Sequence, residues 1–320
     1  MTSTGTTPTF DNREAFAEAL IGLARDDARI VAVCNDSVGS SHLVAFRHEF
    51  PDRLVNVGIA EQNMVGVGAG LAATGLVPFV CGAAPFLTGR ALEQIKTDVA
   101  YSQHHVVLCG LTPGLAYGEL GPTHHSIEDL SWLRALPDLD LVVPADRAQT
   151  RAAVRLAAAS PVPTFVRVGR FRVPDVTGPS DRLERGRFGV VRPGKDVTVI
   201  AIGTLVSRAI DAADALDREG VDVRVLNAAW LSPFDAEAVV AAATETAALV
   251  TAEEAVVTGG LAAAVDEVVI GLPRELRRPV GHVGIKGAFA PTGSTAFLLE
   301  HFGLTAGGIV AAVREALGRA

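Results

Sequence analysis

Two segments of the sequence combine ionisable side chains with glycines in a way that suits a ligand site. The first, VGIAEQNM from residue 57, places Glu61 where a predicted strand gives way to a predicted helix. Ligands bind at this carboxyl edge of a parallel sheet, but a helix start also stabilises an ordinary structural carboxylate. Three glycines follow, at 66, 68 and 70. Each costs about 1 kcal/mol against alanine, which indicates that another backbone approaches this helix closely.

The second segment, GELGPTHHSIED from residue 118, places His124 in a loop before a predicted helix. Ser126 and Asp129 resemble a helix-capping pair. A metal site is not expected, because adjacent histidine side chains diverge and no HExxH or CxxC motif accompanies them. A serine hydrolase is not indicated either, because the sequence lacks GxSxG. Taken alone, the segment favours a capping or packing role for His124 over a catalytic one.

A third observation concerns motifs that the sequence lacks. It has no Walker loop and no Gly-Asp-Gly segment with acidic residues that could hold a magnesium diphosphate. If this chain uses a diphosphate cofactor, another chain must bind the diphosphate.

The elements that must position these residues alternate between strands and helices. Such alternation predicts an α/β fold with doubly wound parallel sheets. The pattern breaks after residue 170, which predicts a first domain over 1–170, a linker over 171–188 and a smaller α/β domain over 189–320. Helices that bear on the site are predicted over 60–74, 90–101 and 127–136.

Composition excludes several classes of protein. The formal net charge is −8 with no long basic run, which argues against nucleic-acid or anionic-membrane partners. No run of about 18 consecutive apolar residues is present. Three cysteines in apolar strand-like runs (Cys34, Cys81, Cys109) argue against a disulfide framework. We therefore expect a soluble cytoplasmic protein.

Taken together, the motifs resemble the transketolase family, and most closely the C-terminal subunit of split, two-gene transketolases. The resemblance runs from about Asn12 to the C-terminus through NVGIAEQNMVGVGAGLA, GRALEQI, GPTHHSIEDL, TAEEAVVTGGL and HVGIK. It implies a thiamine-diphosphate pyrimidine-binding domain followed by a transketolase C-terminal domain. It also implies an α₂β₂ assembly with a homodimeric core, in which an N-terminal subunit holds the diphosphate with Mg²⁺ or Ca²⁺.

The resemblance assigns four positions to the cofactor. Glu61 matches the glutamate that hydrogen-bonds the aminopyrimidine and activates the thiazolium, and Phe86 matches an aromatic residue that stacks on that ring. Asp36 matches an acid near the thiazolium, and Ile59 is a further cofactor-contacting position. Because a carboxylate facing an apolar ring in a dry cleft is poorly solvated, we expect the pKa of Glu61 to be raised.

Other matches concern the substrate. His124 matches a catalytic histidine that contacts substrate oxygens beside the reactive carbon. Arg13, Ser40 and Arg170 match a clamp for the phosphate of sugar phosphates. Each of these three residues alone has an ordinary structural explanation, and only their joint agreement favours the clamp.

Two substrate positions depart from the family pattern. Leu120 stands where transketolases usually carry an aspartate that reads an acceptor hydroxyl, and Thr112 stands where a phosphate-contacting histidine is common. Ala83 replaces a further phenylalanine of many members. These departures predict a wider, less polar pocket and a changed donor or acceptor.

Two alternatives remain at this point. One is the beta subunit of a 2-oxoacid dehydrogenase, which shares the predicted architecture. The other is a non-catalytic scaffolding or regulatory subunit, against which the presence of Glu61, Phe86 and His124 argues. The second domain is expected to contribute mainly to assembly.

Overall fold

Two sheets of mostly parallel strands organise the chain, which the computed structural model describes over residues 7–178 and 182–319. Helices pack against the sheets, so the predicted α/β class is confirmed. The strands are β1 (Phe10–Asp11), β2 (Ile30–Cys34), β3 (Leu54–Asn56), β4 (Val77–Ala83), β5 (Val107–Leu111), β6 (Asp140–Val142), β7 (Thr164–Val168), β8 (Arg172–Val173), β9 (Gly189–Arg192), β10 (Val197–Ala201), β11 (Val223–Asn227), β12 (Trp230–Ser232), β13 (Leu249–Val256) and β14 (Val280–Ile285).

The α-helices are α1 (Asn12–Asp26), α2 (Val44–Glu49), α3 (Glu61–Ala73), α4 (Ala84–Arg90), α5 (Leu92–Gln94), α6 (Asp129–Arg134), α7 (Arg147–Ala159), α8 (Leu205–Asp217), α9 (Ala236–Glu245), α10 (Leu261–Gly271), α11 (Thr295–His301) and α12 (Ala306–Ala316). A π-helix follows α5 over Ile95–Tyr101, and single 3-10 turns occupy Pro51–Arg53, Gly118–Leu120 and Arg274–Leu276.

The first sheet has the strand order β12-β6-β7-β5-β4-β2-β3. Its first-half strands run parallel, whereas β12, which comes from the second half of the chain, pairs antiparallel with β6. The second sheet has the order β14-β13-β10-β11-β9, in which only β9 is antiparallel to its neighbour. The second half of the chain therefore supplies a strand to the first sheet, which periodicity did not predict.

Part of the predicted linker is a strand. Within 171–188, β8 pairs with β1 near the N-terminus, with Phe10 opposite Val173 and Asp11 opposite Arg172. A two-residue strand is too short to show a periodic pattern in the sequence. Its formation also depends on a pairing partner that is far away in sequence. The rest of this range, where described, has no regular element before β9 begins at Gly189.

The two halves share buried apolar side chains. One core contains Val33 and Val80 of the first sheet together with Ile202 and Leu249 of the second half. Two further cores lie against α1 and α7 in the first half and against α8 and α12 in the second. Such a shared core holds the halves in a defined orientation, because separating them would expose apolar surface to water.

One apolar segment, Thr295–Ala316, is long and apolar enough on composition to cross a membrane. Here it consists of two helices, α11 and α12, separated by a turn. Leu298, Ile309 and Val313 from these helices are buried in the core of the second sheet. Packing against that core accounts for the buried apolar side chains of the segment.

Two helices near the site differ from their predicted form. The range 90–101, predicted as one helix, is divided among the last residue of α4, the short α5 and the π-helix over Ile95–Tyr101. In α4 itself Pro85 occupies the first turn, a position that tolerates proline. α6 begins at Asp129, and its N-cap residue Glu128 makes no side-chain capping bond. Ser126 and Asp129 are therefore not a capping pair. Asp129 is instead turned towards Arg167, its ion-pair partner.

The glycines of α3 have different environments. A Cβ on Gly68 would lie 2.4 Å from Val80 of β4, so this glycine allows the helix to pack on the sheet. Gly66 and Gly70 have open space instead, with at most a distant Asp98 oxygen at 3.9 Å from a Cβ on Gly66. Of the three glycines, only Gly68 is approached closely within the chain. The neighbour is the Val80 side chain and not another backbone, as had been expected.

Candidate active site

The candidate site lies where the strand order of the first sheet reverses. From β2 the chain moves to β3 on one side and then crosses to β4 on the other. Ligands of open α/β sheets bind at this kind of switch point, outside the carboxyl ends of the strands. A cavity of about 350 Å³ lies there, and it is lined by Asn35, Asp36, Ser37, Ser40, Ile59, Glu61, Ala83, Phe86, Arg90, Tyr117, Leu120 and His124.

Glu61 lies at the first position of α3, where its side chain is only 3% exposed. Its Oε1 atom accepts hydrogen bonds from Asn35 Nδ2 at 2.7 Å and from an Arg90 guanidinium nitrogen at 3.0 Å. Glu61 also borders a wider groove of about 720 Å³, which it shares with Ile59 and Arg90. The carboxylate therefore stands between an inner cavity and an open surface.

The pKa of Glu61 does not behave as expected. Burial raises this pKa, as predicted, but hydrogen bonds from Asn35, from the backbone amide of Glu61 and from Arg90 outweigh burial and hold it below its ordinary value. The expectation of a raised pKa is thus wrong for the chain by itself. The physical reason is that two side-chain donors, Asn35 and Arg90, reach Glu61 from other elements and stabilise its ionised form.

Aromatic rings and one cation form part of the lining of the cavity. Phe86 and Arg90 lie one turn apart on α4, and the Arg90 guanidinium carbon is 4.2 Å from the centre of the Phe86 ring. His124 packs edge-on between Phe86 and Tyr117, with ring centres 5.1 and 5.8 Å away. Its Nδ1 atom is 3.0 Å from the Thr123 hydroxyl. Arg90 therefore contacts both the carboxylate and the aromatic face of the cavity.

Asp36 is held in a left-handed backbone conformation, with φ of 61°. Its amide donates to Asn56 Oδ1 at 3.0 Å, and Asn56 Nδ2 donates back to its carboxylate at 3.3 Å. Aspartate tolerates this conformation better than most residues with a side chain. The turn directs the loop after β2 across the end of β3.

The three residues predicted to clamp a phosphate do not line one cavity. Ser40 lines the cavity, whereas Arg13 does not. Arg13 is nearly buried and forms an ion pair with Asp11 at 2.6 Å, and it also donates to the backbone carbonyl of Ser40 at 3.4 Å. Arg170 is exposed and lies over the Tyr117 ring, in a second cavity of about 590 Å³ that shares Tyr117 and Leu120 with the first.

The two departures from the family pattern also differ in position. Leu120 is 54% exposed and forms part of the wall between the two cavities. Thr112 is fully buried in a left-handed conformation, and its hydroxyl has no partner within the described residues. Ala83 lines the cavity, as the expectation of a wider pocket requires.

Sequence reasoning missed four lining residues: Asn35, Ser37, Arg90 and Tyr117. A signal existed for Asn35, because it directly follows a predicted strand at the carboxyl edge of the sheet. Arg90 lay within the quoted GRALEQI motif without an assigned role. Nothing in the local pattern distinguished Tyr117, whose position depends on the fold of a long loop.

Comparison with known proteins agrees with this architecture. The model of the transketolase pyrimidine-binding domain matches residues 9–175, and that of the transketolase C-terminal domain matches residues 186–309. The chain therefore belongs to the transketolase family, which depends on thiamine diphosphate.

Individual relatives have the same extent as this chain. It is 42% identical over 298 residues to one of the subunits of the apulose-4-phosphate transketolase of Phocaeicola vulgatus, covering 93% of this chain and 94% of the relative. It is 38% identical over 307 residues to the 6-deoxy-6-sulfo-D-fructose transketolase subunit SqwH of a Clostridium species (strain MSTE9), covering 96% and 94%. A solved structure described as a split gene transketolase, inactive beta4 tetramer, superposes with a TM-score of 0.88 at 42% identity, covering 97% and 99% of the two chains.

These similarities identify the chain as a transketolase subunit of the split kind, part of an enzyme that transfers ketol groups. They do not favour the beta subunit of a 2-oxoacid dehydrogenase or a non-catalytic scaffold.

Proposed function

We propose that this chain supplies the cofactor-activating half of a thiamine-diphosphate site and that a separate subunit holds the diphosphate with Mg²⁺ or Ca²⁺. The observation that carries the proposal is the arrangement around Glu61. A buried carboxylate, an aromatic ring at Phe86 and a histidine at His124 border one cavity at the sheet's switch point. A cavity of about 350 Å³ has room for an aminopyrimidine ring.

In this proposal each residue has a definite task. Glu61 holds or accepts the proton of the aminopyrimidine nitrogen, Phe86 and Ile59 contact the ring, and Asp36 faces the thiazolium. The bound cofactor supplies the carbanion chemistry of ketol transfer. Arg90, which contacts Glu61 and Phe86 here, would share those contacts with a bound ring. His124 contacts the substrate oxygens.

The substrate is proposed to differ from that of a housekeeping transketolase. Leu120 offers no hydrogen-bond acceptor to an acceptor hydroxyl, and Thr112 is buried away from the cavity. Asp11 neutralises Arg13, which leaves Arg170 and Ser40 as the accessible groups for a substrate phosphate. Relatives named for apulose 4-phosphate and for a sulfonated fructose are in keeping with an unusual sugar substrate.

The assembly is proposed to be an α₂β₂ heterotetramer with a homodimeric core of two copies of this chain. One face of α3 supports such a core, because Gln62, Asn63, Gly70 and Ala73 are exposed there and Gly70 has open space around it. Small residues on a helix allow a second helix to approach closely.

A cytoplasmic location stays part of the proposal, and fractionation of the source cells would test it.

Reconstitution tests the proposed activity. The chain, a subunit carrying the diphosphate-binding domain, thiamine diphosphate and Mg²⁺ are combined with a panel of ketose phosphates and aldehydes, and products are identified by mass spectrometry. We expect two-carbon transfer only when both chains are present. Decarboxylation of a 2-oxoacid with acyl transfer to a lipoyl group, and no ketol transfer, would contradict the proposal.

Substitution of Leu120 by aspartate should change acceptor selectivity. The new carboxylate can accept a hydrogen bond from a hydroxyl beside the acceptor carbonyl, and a bond of about 1.4 kcal/mol corresponds to tenfold. We expect the ratio of kcat/KM for a 2-hydroxyaldehyde over its 2-deoxy analogue to rise about tenfold in the reconstituted enzyme.

Leu120→Ala is the control for the loss of side-chain volume at this position. An equal selectivity ratio for the alanine and aspartate variants would show that residue 120 does not read the acceptor.

A further inference from the structure

The loop that joins β5 to α6, residues 112–128, carries three side chains of the candidate site: Tyr117, Leu120 and His124. Apart from the 3-10 turn at Gly118–Leu120, it contains no regular helix or strand. Contacts with other parts of the protein must therefore hold these side chains in place.

Many of those contacts come from the second half of the chain. Leu115 of the loop is fully buried in the core of the second sheet. Gly293 donates its amide to the Gly118 carbonyl at 3.1 Å, and Val256 donates to the Ile127 carbonyl at 2.8 Å. The loop is thus attached to the second domain at its start, its middle and its end.

Glu254 makes the central attachment. It lies on β13 and is 4% exposed. Its Oε1 atom accepts from the Leu115 amide at 2.7 Å, and its Oε2 atom accepts from the Thr204 hydroxyl at 2.9 Å. Gly114 makes room for this carboxylate, because a Cβ at Gly114 would lie 2.0 Å from Oε1.

Arg167 continues the same network to the end of the loop. One of its guanidinium nitrogens donates to the carbonyls of Ser126 and Glu254, each at 3.1 Å. Gly114 and Ser126 exchange backbone hydrogen bonds of 2.9 Å, which close the base of the loop. Both ends of the loop are therefore tied to residue 254, at its side chain and at its backbone.

We propose that Glu254 is a positioning residue for the reaction. It acts through Leu115 to hold loop 112–128 so that His124 packs between Tyr117 and Phe86 at the wall of the cavity. The second domain then has a direct part in building the active site, beyond the role in assembly expected from the sequence. This inference rests on the proposed function for its kinetic consequences, but its structural consequence can be measured without it.

Glu253 provides a matched control. It is fully buried and adjacent to Glu254, and successive residues of a strand point to opposite faces. Its carboxylate accepts from the amides of Leu261 and Ala262 at the start of α10, each at 2.8 Å. Removing Glu253 therefore removes a buried carboxylate of the same kind without removing a hydrogen bond to the loop.

The first measurement is hydrogen exchange of the chain alone, followed by mass spectrometry. In Glu254→Ala we expect faster exchange in peptides covering residues 114–126, and in Glu253→Ala faster exchange at the start of α10 instead. Unchanged exchange of the loop in Glu254→Ala would overturn the proposal whatever reaction the enzyme catalyses.

The second measurement is kcat in the reconstituted enzyme at saturating substrates and cofactor. A misplacement of about 1 Å can cost 10²-fold in rate, so we expect Glu254→Ala to lower kcat about 10- to 100-fold. Glu253→Ala should keep kcat within about twofold of the wild type, even if its thermal midpoint falls as far as that of Glu254→Ala. Glu254→Gln can accept from Leu115 and donate to Thr204, and it should restore most of the rate.

Thr204→Val serves if Glu254→Ala does not fold, because it removes only the hydroxyl bonded to Oε2 and should give a smaller fall in kcat. Equal kcat in the Glu253 and Glu254 variants, or in Thr204→Val and the wild type, would overturn the positioning role. Absence of ketol transfer in the wild-type complex would instead contradict the proposed function, with the exchange result still standing.

Discussion

Replacing Glu61 with glutamine should lower the turnover number of the reconstituted enzyme by about 10²–10⁴-fold, the range that a positioned acid–base group contributes. Glutamine keeps the size of the side chain and an oxygen for the Asn35 bond, which is 2.7 Å long in the wild type. It cannot exchange a proton with a cofactor nitrogen near neutral pH. The measurement is steady-state kinetics at saturating thiamine diphosphate, with cofactor affinity measured separately by calorimetry.

Glu93→Gln is the control for this prediction. Glu93 is a carboxylate on the neighbouring helix α5 that does not line the cavity, and its substitution should leave turnover within about twofold. If the Glu61 variant retained turnover within about threefold of the wild type, the proton-handling role of Glu61 would be wrong.

The lowered pKa of Glu61 in the isolated chain also means that the carboxylate is ionised near neutral pH before cofactor binds.

Replacing Arg167 with methionine should reduce the free energy of unfolding by about 3–5 kcal/mol, as expected when one partner of a buried ion pair is removed. Arg167 is 4% exposed and contacts both carboxylate oxygens of Asp129, at 2.8 and 3.0 Å. Without it, the Asp129 carboxylate stays buried without its cationic partner. Urea denaturation of the chain, followed by circular dichroism, measures the change.

Arg134→Met is the matched control, because Arg134 also binds a carboxylate through two guanidinium nitrogens but its partner Glu267 is 64% exposed. Exposed pairs contribute about 0–1 kcal/mol. Adding Asp129→Leu to Arg167→Met should recover part of the loss, since it removes the unpaired charge. A loss below about 1 kcal/mol for Arg167→Met would show that water reaches Asp129.

Much of the fold was accessible from the sequence because strand and helix periodicities are local. The alternation of strands and helices is present, and α3 lies within the helix predicted over 60–74. The elements that were missed depend on distant partners. β12 pairs with β6 from the other half of the chain, and β8 pairs with β1 at the N-terminus.

The candidate site shows the same division. The family resemblance was enough to select Glu61, Phe86 and His124, and the structure places all three around one cavity. The environment of each side chain was not accessible in this way. Arg90 reaches Glu61 from α4 and Asp11 neutralises Arg13, and neither contact follows from a periodic pattern.

The sequence by itself determined the family, the order of the two domains along the chain and the position of Glu61 at the start of a helix. These three properties depend on residue type and short-range spacing. Only the tertiary structure decided whether the pKa of Glu61 is raised or lowered. That outcome is the balance between burial and hydrogen-bond donors that come from separate elements. It also decided that Glu254, 139 positions from Leu115, supports the loop that carries His124. Such contacts form only when the two sheets pack together, and local sequence cannot specify the distance between side chains on different elements.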